Sequence, residues 1–93
     1  MAKLEQNEID EALQDLDDWQ QNGEEISKEF SFADFSLAME FVNHVAGAAQ
    51  AADHHPDIDI RYDKVKLALS THSEGGLTKK DVELARKIEE MMA

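Results

Sequence analysis

The chain of 93 residues holds four histidines, and three of them, His54, His55 and His72, raise the first chemical question. Histidine is the side chain whose charge changes near neutral pH, so imidazoles held close together can give and take protons. Pro56 stiffens the chain just after the first two. Three imidazoles are also enough to hold zinc. Adjacent histidines on an extended segment point opposite ways, however, which makes joint ligation by His54 and His55 awkward. Asp53 and Asp57 are close enough in sequence to orient the rings without a metal. A third reading is that these are surface histidines meeting by chance. His44 stands apart, on a helical stripe with Leu37 and Phe41, where packing or an interface accounts for it better than catalysis.

Whether the three histidines meet depends on one hairpin. Ile58, Ile60 and Tyr62 alternate with polar residues, and so do Val65, Leu67 and Leu69. This period of two predicts two strands joined by a tight turn at Asp63-Lys64. That turn pairs Tyr62 with Val65, Ile60 with Leu67 and Ile58 with Leu69, so both apolar sets share one face. Continued outward, the same pairing sets His55 opposite His72. Nothing in core packing asks for three histidines at one end of a hairpin.

The other elements follow from similar patterns. Ile9, Leu13 and Leu16 form one stripe of a first helix over residues 5–16. Trp19 falls on a short strand, and Asn22-Gly23 is a turn signal. Residues 25–32 read as a strand with Ile26, Phe30 and Phe32 inward; Lys28 interrupts that face and suggests an edge. Asp34 is a plausible N-cap for a second helix. That helix carries one stripe of Phe35, Ala38, Met39, Val42, Val45 and Ala49, and another of Leu37, Phe41, His44 and Ala48. A helix apolar on two sides predicts a second cover, such as a partner subunit. Gly75-Gly76 precedes a third helix, with Thr78 and Asp81 at capping-box spacing and Val82, Ala85, Ile88 and Met92 on its apolar side. Asp81 therefore has a capping reading independent of any chemistry, and Tyr62 and Trp19 read as core residues. The sum is an α+β domain spanning residues 1–93, a four-stranded antiparallel sheet with three helices on one face.

Composition narrows the partners. Twenty-one acids against nine bases give a net charge of −12, which repels phosphate backbones and anionic membranes. The chain has no cysteine, which excludes disulfides and thiolate-held zinc. The longest apolar stretch, residues 41–52, is broken by Asn43, His44 and Gln50 and is too short for a membrane span. The expectation is a cytoplasmic homo-oligomer without nucleic acid or membrane as partner.

The run from His54 to Asp81 resembles the signature of the pterin-4a-carbinolamine dehydratase family. The matching residues are His54-His55-Pro56, the aromatic Tyr62, Thr71-His72, and Asp81 at the start of the last helix. The segments Phe30-Ser31-Phe32-Ala33-Asp34-Phe35 and Leu67-Ala68-Leu69-Ser70-Thr71-His72 are similar too, and the likeness runs over residues 4–88. One departure is Gln50, where the family usually has a charged residue. The resemblance implies removal of the 4a-hydroxyl of a hydroxylated tetrahydropterin, giving a quinonoid dihydropterin without metal or cofactor. It implies His54 and His72 as the acid/base pair, with His55 mainly holding the pterin. It also implies Asp53 and Thr71 beside the substrate, and Asp81 orienting one imidazole. Family members form dimers or tetramers. Relatives in animals also act as dimerisation cofactors of a homeodomain transcription factor, which leaves an interaction module as the alternative function.

Overall fold

The α+β order predicted from periodicity is the order found. A computed structural model describes residues 2–92. It contains α1 (Gln6–Leu13), β1 (Gln20–Asn22), β2 (Glu25–Ser31), α2 (Phe35–Ala52), β3 (Asp57–Arg61), β4 (Lys64–Leu69), a short 3₁₀ turn (His72–Glu74) and α3 (Lys79–Met92). The strands form one antiparallel sheet in the order β1-β2-β4-β3.

The first helix is shorter than its apolar stripe. After Leu13 the backbone tightens, with Gln14, Asp15 and Leu16 donating to carbonyls three residues back. Asp15, Asp17 and Asp18 would crowd the negative end of a longer helix. The tighter turns still deliver Leu16 to the core and bring in Trp19, buried one residue ahead of β1.

Ile26, Lys28 and Phe30 of β2 pair with Leu69, Leu67 and Val65 of β4 and share their face. Lys28 is on an inner strand and not at an edge, contrary to expectation. Its ammonium is neutralised by Glu89 of α3 at 2.8 Å and lies 4.9 Å from the Phe30 ring centre. Trp19 Nε1 donates to the same Glu89 carboxylate at 3.0 Å. On the opposite face Glu29, Lys66 and Asp59 stand in register, so that face is polar and open.

Asp34 caps α2 by accepting from the Leu37 N–H at 2.9 Å. Ala38, Phe41, Val45 and Ala49 form the buried side of this helix. Phe41 packs on Phe30 and Phe32 with ring centres 4.7 and 5.1 Å away. The two predicted stripes thus merge into one, leaving Phe35, Leu37 and His44 exposed. Along α3, Leu84 joins Val82, Ala85 and Ile88 in the buried side, whereas Met92 is exposed. Each aliphatic side chain sealed in this core contributes about 1.5–3 kcal/mol.

The second hairpin departs from the expected register by two residues. Its turn is Tyr62-Asp63, so Arg61 faces Lys64, Ile60 faces Val65 and Ile58 faces Leu67. A shift of two leaves every side chain on its predicted face, because the side-chain period is two. Alternation therefore fixes the faces but cannot choose between registers of equal parity. Tyr62 occupies the turn at φ 54° and is 68% exposed, so it is no core residue.

Candidate active site

The register decides which residues meet. Extending the observed pairing sets His54, not His55, across from Thr71. His72 is carried past the end of the ladder into the 3₁₀ turn, where it is exposed. The expected pairing of His55 with His72 is therefore not formed. The reason is that the chain leaves the sheet at Thr71, which bridges to Gly76.

Asp81 is the centre of what does form. Thr78 caps α3, and its N–H donates to Asp81 Oδ2 at 2.9 Å, the backbone half of the predicted capping box. The Thr78 hydroxyl instead accepts from the Lys80 N–H at 3.3 Å. Thr71 Oγ1 donates to Asp81 Oδ2 at 2.8 Å and lies 2.9 Å from the Thr78 hydroxyl. The other carboxylate oxygen, Oδ1, is 2.5 Å from His54 Nε2. Asp81 is wholly buried, with no exposed surface. A carboxylate removed from water needs such donors, and the His54 ring supplies one of them.

The His54 ring is placed by the end of α2. Asp53 closes the helix in a left-handed conformation at φ 52°, and the His54 N–H returns to the Ala49 carbonyl at 3.1 Å. The chain then turns inward, leaving the His54 side chain only 11% exposed. Donation from Nε2 to Asp81 leaves Nδ1 of the neutral ring as its free acceptor. His55 faces the other way, with Nε2 2.9 Å from Gln50 Oε1. The two adjacent histidines thus have separate partners, Asp81 on α3 and Gln50 on α2.

Of the expected site residues, His54, Asp81 and Thr71 form one hydrogen-bonded unit. His55, Asp53 and His72 are exposed and outside that unit. Thr71, expected beside the substrate, is 8% exposed, with its hydroxyl engaged by Asp81 and Thr78. Sequence reasoning missed Thr78 as a partner of Thr71, although its capping position was visible. It also missed a cavity of about 290 Å³ that reaches His54, walled by Ala48 and Ala52 of α2 and by Lys80, Glu83, Leu84 and Lys87 of α3. Among the described residues no three His, Cys, Asp or Glu side chains are grouped to hold a metal ion.

Comparison with known proteins agrees with this architecture. The family profile described as Pterin 4 alpha carbinolamine dehydratase matches residues 2–91. A relative from Chloroflexus aurantiacus, named for this family, is 52% identical over 92 residues, covering 99% of both chains. A relative from Nocardia farcinica with the same name is 51% identical over 88 residues, covering 95% of this chain and 93% of its own. A crystal structure of a transcriptional coactivator/pterin dehydratase from Brucella melitensis superposes with a TM-score of 0.93 at 40% identity, over 98% of this chain and 99% of that one. A pterin dehydratase-like protein described as a RuBisCO assembly factor shares the fold alone, with a TM-score of 0.65 at 18% identity over 78% of this chain and 84% of its own. The chain belongs to the pterin-4a-carbinolamine dehydratase family.

Proposed function

We propose that this chain is a hydro-lyase that dehydrates a 4a-hydroxytetrahydropterin to the quinonoid dihydropterin. The observation that carries the reading is the buried Asp81 carboxylate holding the His54 imidazole by Nε2. In the reaction the C4a–O bond breaks and its electron pair leaves with the oxygen. An acid protonates the departing hydroxyl to water, and a base takes a proton from a ring nitrogen. His54 and His72 fill these roles. His54 works through Nδ1, because Nε2 is engaged by Asp81. Each proton transfer of this kind contributes about 10²- to 10⁴-fold. His55, steadied by Gln50, holds the pterin ring, and exposed Asp53 lies beside it.

The same reading has the enzyme work in the cytoplasm as a homodimer or homotetramer. Phe35 and Leu37 on α2, with Ile58, Ile60 and Tyr62 on and beside the edge strand β3, are large apolar side chains left exposed. Covering such groups is favourable for so small a domain. A second reading, a protein-interaction module, takes support from the description of the Brucella protein as a transcriptional coactivator and from this same surface. An adaptor needs Asp81 only as the cap of α3 and has no need of His54 on its second oxygen.

The deciding experiment is a dehydration assay on freshly generated 4a-hydroxytetrahydropterin. Acceleration that is lost in His54→Ala supports the enzyme. A rate equal to the uncatalysed one favours the adaptor.

A further inference from the structure

The cavity beside His54 has a composition that the dehydration reaction does not explain. Leu84, Ala48 and Ala52 give it an apolar lining, and Lys80 and Lys87 stand on its α3 wall with Glu83 between them. Neither lysine side chain forms an ion pair or hydrogen bond among the described residues, although the chain carries 21 acids. Nor does Lys80 serve the helix, whereas Lys87 has the favourable i, i+4 spacing to Glu83. Lys79 and Lys80 open α3 while Glu89 and Glu90 lie near its end, and both placements oppose the helix dipole. Two unpaired ammonium groups against one carboxylate make this wall locally cationic on a protein of net charge −12.

Size adds a constraint. About 290 Å³ is at the lower limit for a pocket that encloses a drug-sized ligand. That volume, about the share of ten liquid waters, has room for a substituent or for a bicyclic ring. His54 forms one end of the cavity, so a ring seated at His54 can send its substituent along the groove between α2 and α3.

Resting on the dehydratase reading above, we propose that this groove is a tail subsite and that Lys80 and Lys87 select tetrahydropterins whose side chain carries an anion. The anion is a carboxylate or a phosphate ester, which share the charge that an ammonium group recognises. The apolar walls accept the linker, and the lysines meet its charged end.

The test compares three 4a-hydroxytetrahydropterins that share one ring: a 6-methyl compound, one with a glutamate-bearing tail and one with a phosphate-ester tail. The wild-type chain should favour an anionic tail in kcat/KM, and the two anionic compounds identify which group is preferred. In Lys80→Gln/Lys87→Gln the anionic-to-neutral ratio should fall by about 3- to 10-fold, the scale of two partly exposed charge contacts. The loss should shrink in high salt. A ratio taken on one enzyme preparation is independent of the folded fraction. Lys64→Gln removes one ammonium at the turn end of the β3–β4 hairpin, away from His54, and should leave the ratio alone. An unchanged ratio in the double variant, or an equal fall in Lys64→Gln, overturns the tail subsite while leaving the dehydratase intact. Failure of the wild-type chain to dehydrate even the 6-methyl compound removes both.

Discussion

His54 Nε2 and Asp81 Oδ1 lie 2.5 Å apart, one at the end of α2 and the other in the first turn of α3. This contact ties a helix cap to a candidate proton-transfer group, so a change at Asp81 should register in both stability and rate. Asp81→Asn separates the two. An amide keeps one acceptor for Thr78 and Thr71 but turns an NH₂ toward His54, which disfavours the Nε2–H tautomer. The expected loss is about 1–3 kcal/mol of stability and at least about 10-fold in turnover. Thermal unfolding and rate per folded molecule check both. A stability loss with full rate would reduce Asp81 to a cap.

Thr71→Val removes a donor to the buried carboxylate and keeps the shape. It should cost about 1–3 kcal/mol and lower kcat, while KM for the pterin stays close to wild type. A large rise in KM without loss of stability would place the hydroxyl at the substrate instead.

The three histidines should separate kinetically. His54→Ala and His72→Ala should each lower turnover by about 10-fold or more. His55→Ala should weaken binding more than it slows the chemical step, and Gln50→Ala should do the same to a smaller degree, through the lost hold on His55. Full activity in all three histidine variants would end the proton-transfer mechanism.

Leu37→Glu places a charge on the exposed apolar surface of α2, and Ile60→Lys does so on the edge strand. Each should shift light scattering at micromolar concentration toward the monomer, with far-ultraviolet circular dichroism unchanged. A wild-type chain that is already monomeric would remove the homo-oligomer.

Much of this arrangement was legible in residue patterns. Alternation gave the strands and their faces, and Asp34 and Thr78 marked two helix starts. Register was not legible, because pairing Ile60 with Val65 or with Leu67 puts the same side chains on the same face. The contact of Thr71 with Asp81 depends on the chain leaving the sheet at Thr71 and returning at Gly76, and no local pattern announces that. Lys28 misled for a related reason. Its neutralising partner, Glu89, is 61 positions away.

The central pairing of the sheet, β2 with β4, also bears on how the chain reaches this state. Ile26 pairs with Leu69 and Ser31 with Lys64, separations of 43 (69 − 26) and 33 (64 − 31) residues, with all of α2 in the intervening loop. The two outer hairpins are local and can close within about 1–10 μs. Joining them requires closure of the long loop, which carries the larger entropic cost and makes docking the slower event. His54 lies within that loop, whereas Thr71, Thr78 and Asp81 lie beyond it. The β3–β4 hairpin alone sets His54 across from Thr71, but α2, whose end carries His54, is fixed against the sheet only once the hairpins have docked. Recovery of dehydratase activity during refolding should lag hairpin formation and keep pace with burial of Trp19.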